Sequence, residues 1–363
     1  MIQNEALSRR GESAVYALKT LYESYGYSQY KMSKFEEYDL YVRNKSFLVS
    51  NHIITFTDVD GKLMALKPDV TLSIVKNSPD RETGVRKVYY NENVYRVPKG
   101  GLSFKEIMQS GLECIGEIDT YSVSEVLTLA VKSLEAISSD YVLDVSHMGI
   151  ISALVDGIGL SARGKENMLS CIGEKNVHGI DAVCVSEGKD VSCADTIKKL
   201  MMLKGGTAEM LSILEGSKCY GDAAEMAEIL SAVSGNVRID FSVTDDTKYY
   251  SGIVFKGFIK GIPTGVLSGG RYDKLMKKMG KESGAIGFAV YLDLIGELNS
   301  DDREYDADVL VIYDGSTDIK RITDLTDSLI REGKTVMSRR DVPEMLKYNE
   351  IIDLREGKNN GNA

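Results

Sequence analysis

YYSGIVFKGFIKGIPTGVLSGGRYDKLMKKMGKESGAIGFAVYLDL, residues 249–294, gathers two β-branched runs, the pair Gly269-Gly270, the triplet Arg271-Tyr272-Asp273 and a second glycine-flanked apolar run. Such runs read as strands. A glycine pair lets backbone approach a neighbour closely, because glycine lacks a Cβ and tolerates positive φ. Arg271 and Asp273 set opposite charges beside it. The segment reads as the floor of a ligand pocket. If Tyr249 and Tyr250 begin a strand, they point to opposite faces, and at most one hydroxyl reaches a given pocket face.

Upstream, the runs at 85–97 and 105–118 are strand-like and joined by a Pro-Lys-Gly-Gly loop at 98–101, so they can pair antiparallel. In the second run Gln109, Gly111 and Glu113 share one face, with Leu112 and Cys114 on the other. Two acceptor-bearing side chains flanking a glycine suit a cation such as an α-ammonium, whereas a solvated sheet face is the plainer reading. Residues 53–77 read as strand, turn, strand and helix, with Asp60-Gly61 at the turn and Pro68 ahead of the helix. Asp69 and Thr71 stand at that helix start, where capping of backbone N–H groups explains them. Arg96, at the end of its strand, is the best anion-binding candidate, since a guanidinium grips a carboxylate or phosphate bidentately.

Further out, Ala14, Leu18, Leu21, Tyr22 and Tyr25 recur at helical spacing before Gly26. Ser122 with Glu125 has the form of a capping box ahead of a helix that runs to Ser138-Ser139, and a strand follows at 141–147. From about 150 to 234 strand signals nearly vanish, and Met and Leu stripes mark inserted helices. After a charged linker, residues 306–363 read as a small α/β segment of strand, helix and short strand, with frayed last residues. The organisation expected is therefore a core from 1–149 and 235–300, a helical insertion at 150–234 and the C-terminal α/β segment.

The chain has 363 residues, 43% hydrophobic and 27% charged, with 44 Lys and Arg against 54 Asp and Glu, a formal charge of −10. This is ordinary globular usage with an acidic balance that opposes binding to phosphate backbones, so no nucleic-acid partner is expected. Five cysteines without a CxxC pair indicate reduced thiols. The N-terminus lacks a signal-peptide pattern, and no run approaches about 18 apolar residues, so a cytoplasmic protein without membrane association is expected. His52, His147 and His178 are far apart without ligand spacing, and no metal or cofactor is assigned. Hydrolase, P-loop and dinucleotide motifs are absent.

The ordered segments KPDVT, NVYR, QSGLECIG, KYYSGIVF, GGRYDKL and AIGFAVYLDLI, between about 10 and 298, resemble the catalytic core of class II histidyl-tRNA synthetases. The resemblance implies an α+β fold, an antiparallel sheet flanked by helices, with a helical insertion and a small C-terminal α/β segment. It also implies a histidine site formed by Asp69, Thr71, Arg96, Gln109, Glu113, Tyr249 and Tyr250. The departures fall elsewhere. An acidic ATP-holding position aligns with Pro98, a loop arginine near Ser103, the histidine-motif arginine near Asp245 and the motif 3 arginine with Leu294. Cationic groups that stabilise charge in adenylation are worth about 2.7–4 kcal/mol each, so their loss implies that the chain has no catalytic residues of its own. This combination resembles the regulatory-subunit family of ATP phosphoribosyltransferase. That resemblance implies a short-form catalytic subunit as partner, a dimer within a hetero-oligomer, and histidine as effector. An active histidine–tRNA ligase and a free-standing amino-acid sensor are the alternatives. Residues 306–363 begin like the synthetase's anticodon-binding domain but are too few to complete it.

Overall fold

In a computed structural model, the structure describes residues 3–48, 52–81, 83–97, 101–244, 249–296, 305–343 and 345–355. The chain forms two compact units, 1–298 and 299–363.

The larger unit begins with helix α1 (Gln3–Ser24), which buries Leu18 and Tyr22 fully. The short strands β1 (Ser28–Gln29) and β2 (Phe35–Glu37) lead to helix α2 (Tyr38–Arg43), and β3 (Thr55–Thr57) and β4 (Leu63–Leu66) follow. The expected hairpin at Asp60-Gly61 forms: Gly61 adopts φ +78°, and Thr55 pairs with Ala65 across an antiparallel register. Strands β2, β4 and β3 make a small sheet of their own, and helix α3 (Thr71–Lys76) follows Pro68. A buried ion pair joins this sheet to the larger one. Lys67, 1% exposed, donates its ammonium to Glu92, and the Lys67 carbonyl accepts from the Tyr95 amide at 2.9 Å.

The long strands β5 (Val85–Arg96) and β6 (Lys105–Gly116) pair antiparallel as expected. Helix α4 (Thr120–Glu135) comes next, then strand β7 (Tyr141–His147). Its cap is not the box expected at Ser122 and Glu125: Asp119 accepts the Ser122 amide at 2.8 Å, while Glu125 pairs with Lys87 at 2.6 Å. A carboxylate one residue outside the helix meets the free N–H groups directly, which leaves Glu125 for the neighbouring strand. Six helices follow, α5 (Met148–Ile158), α6 (Ala162–Gly173), α7 (Val177–Ser186), α8 (Asp195–Met201), α9 (Gly206–Ile213) and α10 (Tyr220–Ser231). Their buried Met168, Ile180, Leu200 and Met226 join one continuous apolar cluster with α1, α4 and the sheet.

The chain then returns as β8 (Val237–Ile239), β9 (Ile253–Ile259), β10 (Leu267–Arg271), helix α11 (Asp273–Lys278), β11 (Gly284–Tyr291) and helix α12 (Leu292–Ile295). The eight-stranded sheet has the order β1-β5-β6-β11-β10-β9-β7-β8. Its pairs from β5 to β7 are antiparallel and the two edge pairs parallel. The large cluster, with Leu112 and Cys114, covers one face. A second cluster, with Tyr41, Leu72, Tyr90 and Tyr272, covers part of the other.

Gly269 and Gly270 lie in β10 without positive φ. Crowding is what requires them: a Cβ on Gly270 would stand 2.7 Å from the Ile253 carbonyl oxygen and 2.7 Å from the Tyr250 ring. The backbone approach expected there is made by protein, not ligand.

The smaller unit places strand β12 (Ala307–Ile312) between β13 (Val336–Arg339) and β14 (Tyr348–Asp353), all parallel, with helix α13 (Ile319–Arg331) contributing Leu329 to its core. Strand β14 was not among the expected elements.

Replacing Lys67 with Met leaves Glu92 without its cation. Breaking such a pair costs about 3–5 kcal/mol, so the urea midpoint of Lys67→Met falls well below that of the parent; an unchanged midpoint contradicts the role assigned to the pair.

Candidate functional site

Register across the sheet lays down the floor of a cavity. Glu113 in β6 faces Gly287 in β11, which faces Gly270 in β10; beside that row, Gly111 faces Ala289, which faces Ser268, which faces Lys256 in β9. Paired residues of adjacent strands share a face, so the floor is built mostly of small residues, with acceptors at one end. A cavity of about 510 Å³ opens above it. All seven residues singled out in the sequence, Asp69, Thr71, Arg96, Gln109, Glu113, Tyr249 and Tyr250, line this cavity.

Glu113 is 2% exposed and held from two sides. The Thr71 hydroxyl donates to its Oε1 at 2.8 Å, and the Tyr272 hydroxyl donates to its Oε2 at 2.6 Å. Gly287 makes room for it, because a Cβ there would collide with Glu113 Oε2 and the Leu112 carbonyl. Burial pushes the Glu113 carboxyl up to about 8, with the charge of Asp69 adding to the rise and the two hydroxyls opposing it.

Asp69 does what capping requires and also faces the cavity. Its Oδ1 accepts the Leu72 amide at 2.8 Å at the start of α3. Burial pushes its carboxyl up, while the Leu72 amide and the Arg96 guanidinium hold the rise down. Thr71 does not cap; its hydroxyl is committed to Glu113. Arg96, 7% exposed, ends β5 with Nη1 3.5 Å from the Pro68 carbonyl oxygen. Gln109 is 4% exposed and its side chain faces the cavity.

The expectation for the tyrosine pair fails. Tyr249 and Tyr250 precede β9 in a turn instead of starting a strand, so alternation does not apply, and both rings line the cavity with centroids 4.7 Å apart. Tyr249 also packs against Phe47 at 6.0 Å and Tyr272 at 5.7 Å. Burial, together with the nearby Asp69, raises the Tyr249 hydroxyl well above its ordinary value. The room left by Gly111 is filled by protein as well, since a Cβ there would stand 2.5 Å from the Tyr90 hydroxyl.

The sequence reading missed Tyr272, Tyr90, Ser268 and Tyr291. Tyr272 stood in the quoted triplet, yet the triplet was read for its charges. Those charges satisfy each other, Arg271 Nε donating to Asp273 Oδ2 at 2.8 Å, while Tyr272 turns into the cavity. Ser268 and Tyr291 join their hydroxyls at 2.7 Å, and strict alternation along β10 and β11 would have placed both on the floor. Of the departures, Pro98 and Asp245 lie outside the described residues. Ser103 is exposed, and Leu294 packs against the large apolar cluster. Among the described residues no three His, Cys, Asp or Glu side chains are grouped to hold a metal ion, and no helix is long and apolar enough to cross a membrane.

The mixed sheet flanked by helices, carrying its cavity on one face, is the class II aminoacyl-tRNA synthetase-like architecture. Within that class the chain belongs to the histidyl-tRNA synthetase family, whose sequence model matches residues 4–295. It is 29% identical over 322 residues to a histidine–tRNA ligase of Methanococcus vannielii, covering 83% of this chain and 75% of that one. It is 27% identical over 367 residues to an ATP phosphoribosyltransferase regulatory subunit of Clostridium kluyveri, covering 93% of this chain and 90% of that one. A crystal structure from Bacillus halodurans, described as an ATP phosphoribosyltransferase regulatory subunit/histidyl-tRNA synthetase, superposes with a TM-score of 0.76 at 22% identity, over 97% of this chain and 95% of that one. A chain of the ATP phosphoribosyl transferase (HisG:HisZ) complex from Thermotoga maritima gives a TM-score of 0.61 at 19% identity, over 77% of this chain and 96% of that one. At these identities the two structures show the fold.

The raised Glu113 carboxyl sets a pH dependence. Its folded-state value lies above the ordinary 4.5, near 8, so its ionised form opposes folding and stability falls as pH rises through that window. Glu113→Gln removes the ionisation. The fall in unfolding free energy between about pH 5 and about pH 8 is expected to be smaller in the variant than in the parent, measured by urea denaturation; parallel pH profiles contradict it. Gly287→Ala, which drives a Cβ into Glu113, is expected to cost about 1–3 kcal/mol by the same measurement.

Proposed function

We propose that this chain is a non-catalytic regulatory subunit of ATP phosphoribosyltransferase that binds histidine in the cavity beside Glu113. The observation that carries the reading is the convergence of two carboxyls, the Gln109 amide and the Arg96 guanidinium on one cavity. Such a set suits a free amino acid. Arg96 supplies donors for the α-carboxylate, Asp69 and Gln109 supply acceptors for the α-ammonium, and Glu113 accepts from a side-chain N–H. The tyrosine rings supply apolar walls. Support for a regulatory over a catalytic role comes from Leu294, a half-buried apolar residue packed against the core where the resemblance calls for an arginine, and from relatives that carry the regulatory-subunit name along most of their length.

The partner on this reading is a short-form catalytic subunit, which this chain activates and through which it conveys histidine feedback. A ligand that binds two assembly states unequally shifts their balance by its differential affinity, commonly about 1–3 kcal/mol of coupling. We place the protein in the cytoplasm and expect a dimer within the hetero-oligomer. The core at 1–149 and 235–300, the helical insertion at 150–234 and the C-terminal segment at 306–363 are proposed as its working divisions.

A second reading, an active histidine–tRNA ligase, is favoured by the 29% identity to the Methanococcus vannielii ligase. One experiment separates them. The purified chain is mixed with a short-form ATP phosphoribosyltransferase, and phosphoribosyl transfer is measured with and without histidine, beside histidine-dependent ATP–pyrophosphate exchange by the chain alone. Activation that histidine reverses supports the regulatory reading; exchange without activation overturns it. Glu113→Ala is expected to weaken histidine binding in calorimetry by up to about tenfold, the effect of losing one hydrogen bond of about 0.5–1.5 kcal/mol, while assembly persists. Unchanged affinity removes Glu113 from the site.

A further inference from the structure

The helical segment carries four thiols that play no part in the proposed function, and two of them lie close together. Cys184 lies in the last turn of α7 and is buried, whereas Cys193 lies in the 3-10 turn Val191–Ala194 and is exposed. Their sulfurs are 3.9 Å apart. The other cysteines are placed differently: Cys219 directs its thiol at the Ile150 carbonyl oxygen, and Cys114 is buried beside Tyr27.

The backbone between the two thiols holds them at this separation. Gly188 turns the chain with φ +67°, the Lys189 amide donates to the Cys184 carbonyl at 2.8 Å, and the Cys193 amide donates to the Asp190 carbonyl at 3.2 Å. Asp190 also fixes the turn by accepting the Ser192 amide at 2.8 Å. A disulfide has an S–S distance of about 2.05 Å, so rotation of the exposed Cys193 side chain closes most of the gap. Of the charged groups nearby, Asp181 and Lys198 act on the Cys184 thiol, and Lys198 is itself bonded to Asp181 and Asp195. Burial pushes the Cys184 thiol up to about 11, which leaves the exposed Cys193 as the first thiol to react.

We propose that Cys184 and Cys193 form a reversible dithiol–disulfide couple, a modification site that staples the end of α7 to the turn leading into α8. The oxidant class is a small-molecule disulfide such as oxidised glutathione. The Cys193 thiolate attacks one glutathione sulfur, making a mixed disulfide and expelling one glutathione thiolate. The Cys184 thiolate then attacks Cys193 Sγ, forming the internal bond and expelling the second. Two protein thiols are oxidised, one glutathione disulfide is reduced to two thiols, and the two protons pass to the departing thiolates.

The test uses the full chain. It is incubated with oxidised glutathione, remaining thiols are alkylated, and the tryptic map is read by mass spectrometry without reduction. Lys189 separates the two cysteines, so residues 176–189 and 190–198 fall on different peptides and only a disulfide joins them. The expected result is that linked pair, about 2 Da lighter than the sum of the free peptides, and its disappearance on adding dithiothreitol; Cys171, on 166–175, stays outside the link. In Cys184→Ser the expected product is a persistent glutathione adduct on 190–198. Recovery of both peptides alkylated in the parent, or a lasting adduct on Cys193 there, overturns the couple. An unmodified Cys193 in Cys184→Ser overturns its assignment as the entry thiol.

Discussion

The two hydroxyl donations to Glu113 are the constraint on which the cavity depends. They tie three pieces of chain that are remote in sequence: the start of α3 through Thr71, the centre of β6, and the turn after β10 through Tyr272. A carboxyl buried this deeply is tolerable only when its oxygens are occupied. Each donor is therefore both a fastening and a means of keeping the carboxyl in place, and the absent side chain of Gly287 is part of the same arrangement. Asp69 repeats the pattern on a smaller scale, stabilising a helix start while lending its charge to the cavity.

Around that fastening, the sheet divides labour between its faces. One face is sealed by α1, α4 and the inserted helices into a continuous apolar core, and the other is sealed only in part, by α3, α11 and the small sheet. What remains open is a floor of Gly, Ala and Ser side chains between acceptors at one end and Lys256 at the other. Small residues on a sheet normally weaken packing. Here they cost little on a face that does not fill itself, and they leave volume that bulkier side chains would take.

Much of this was legible in the sequence because it followed from alternation. The shared face of Gln109 and Glu113, the pairing of β5 with β6 and the hairpin before α3 need only a period of two and a turn residue. The failures are equally specific. Tyr249 and Tyr250 broke the alternation rule because they sit in a turn, where side-chain direction is set by tertiary packing. Tyr272 was hidden between two charges that attracted the functional reading, though they pair with each other and Asp273 also accepts the Ala285 amide. Strand β14 offered no alternating apolar pattern because half of its residues are exposed and none is fully buried. The cap at Asp119 lay three residues ahead of the box signature. The position of Gly287 against Glu113 could not be read from either segment alone, since it depends on which strands become neighbours.

That neighbour relation reaches into biosynthesis. Strand β6 is complete at Gly116, yet its partner β11 begins at Gly284. At about 5–20 residues per second, translation leaves roughly 8–35 s during which the edge of β6 has been made and its partner has not. A long strand with open backbone groups is an invitation to pair with any other chain. Until β11 arrives that edge of the nascent chain stays open, so the sheet order that assembles the cavity also sets a window of exposure during synthesis.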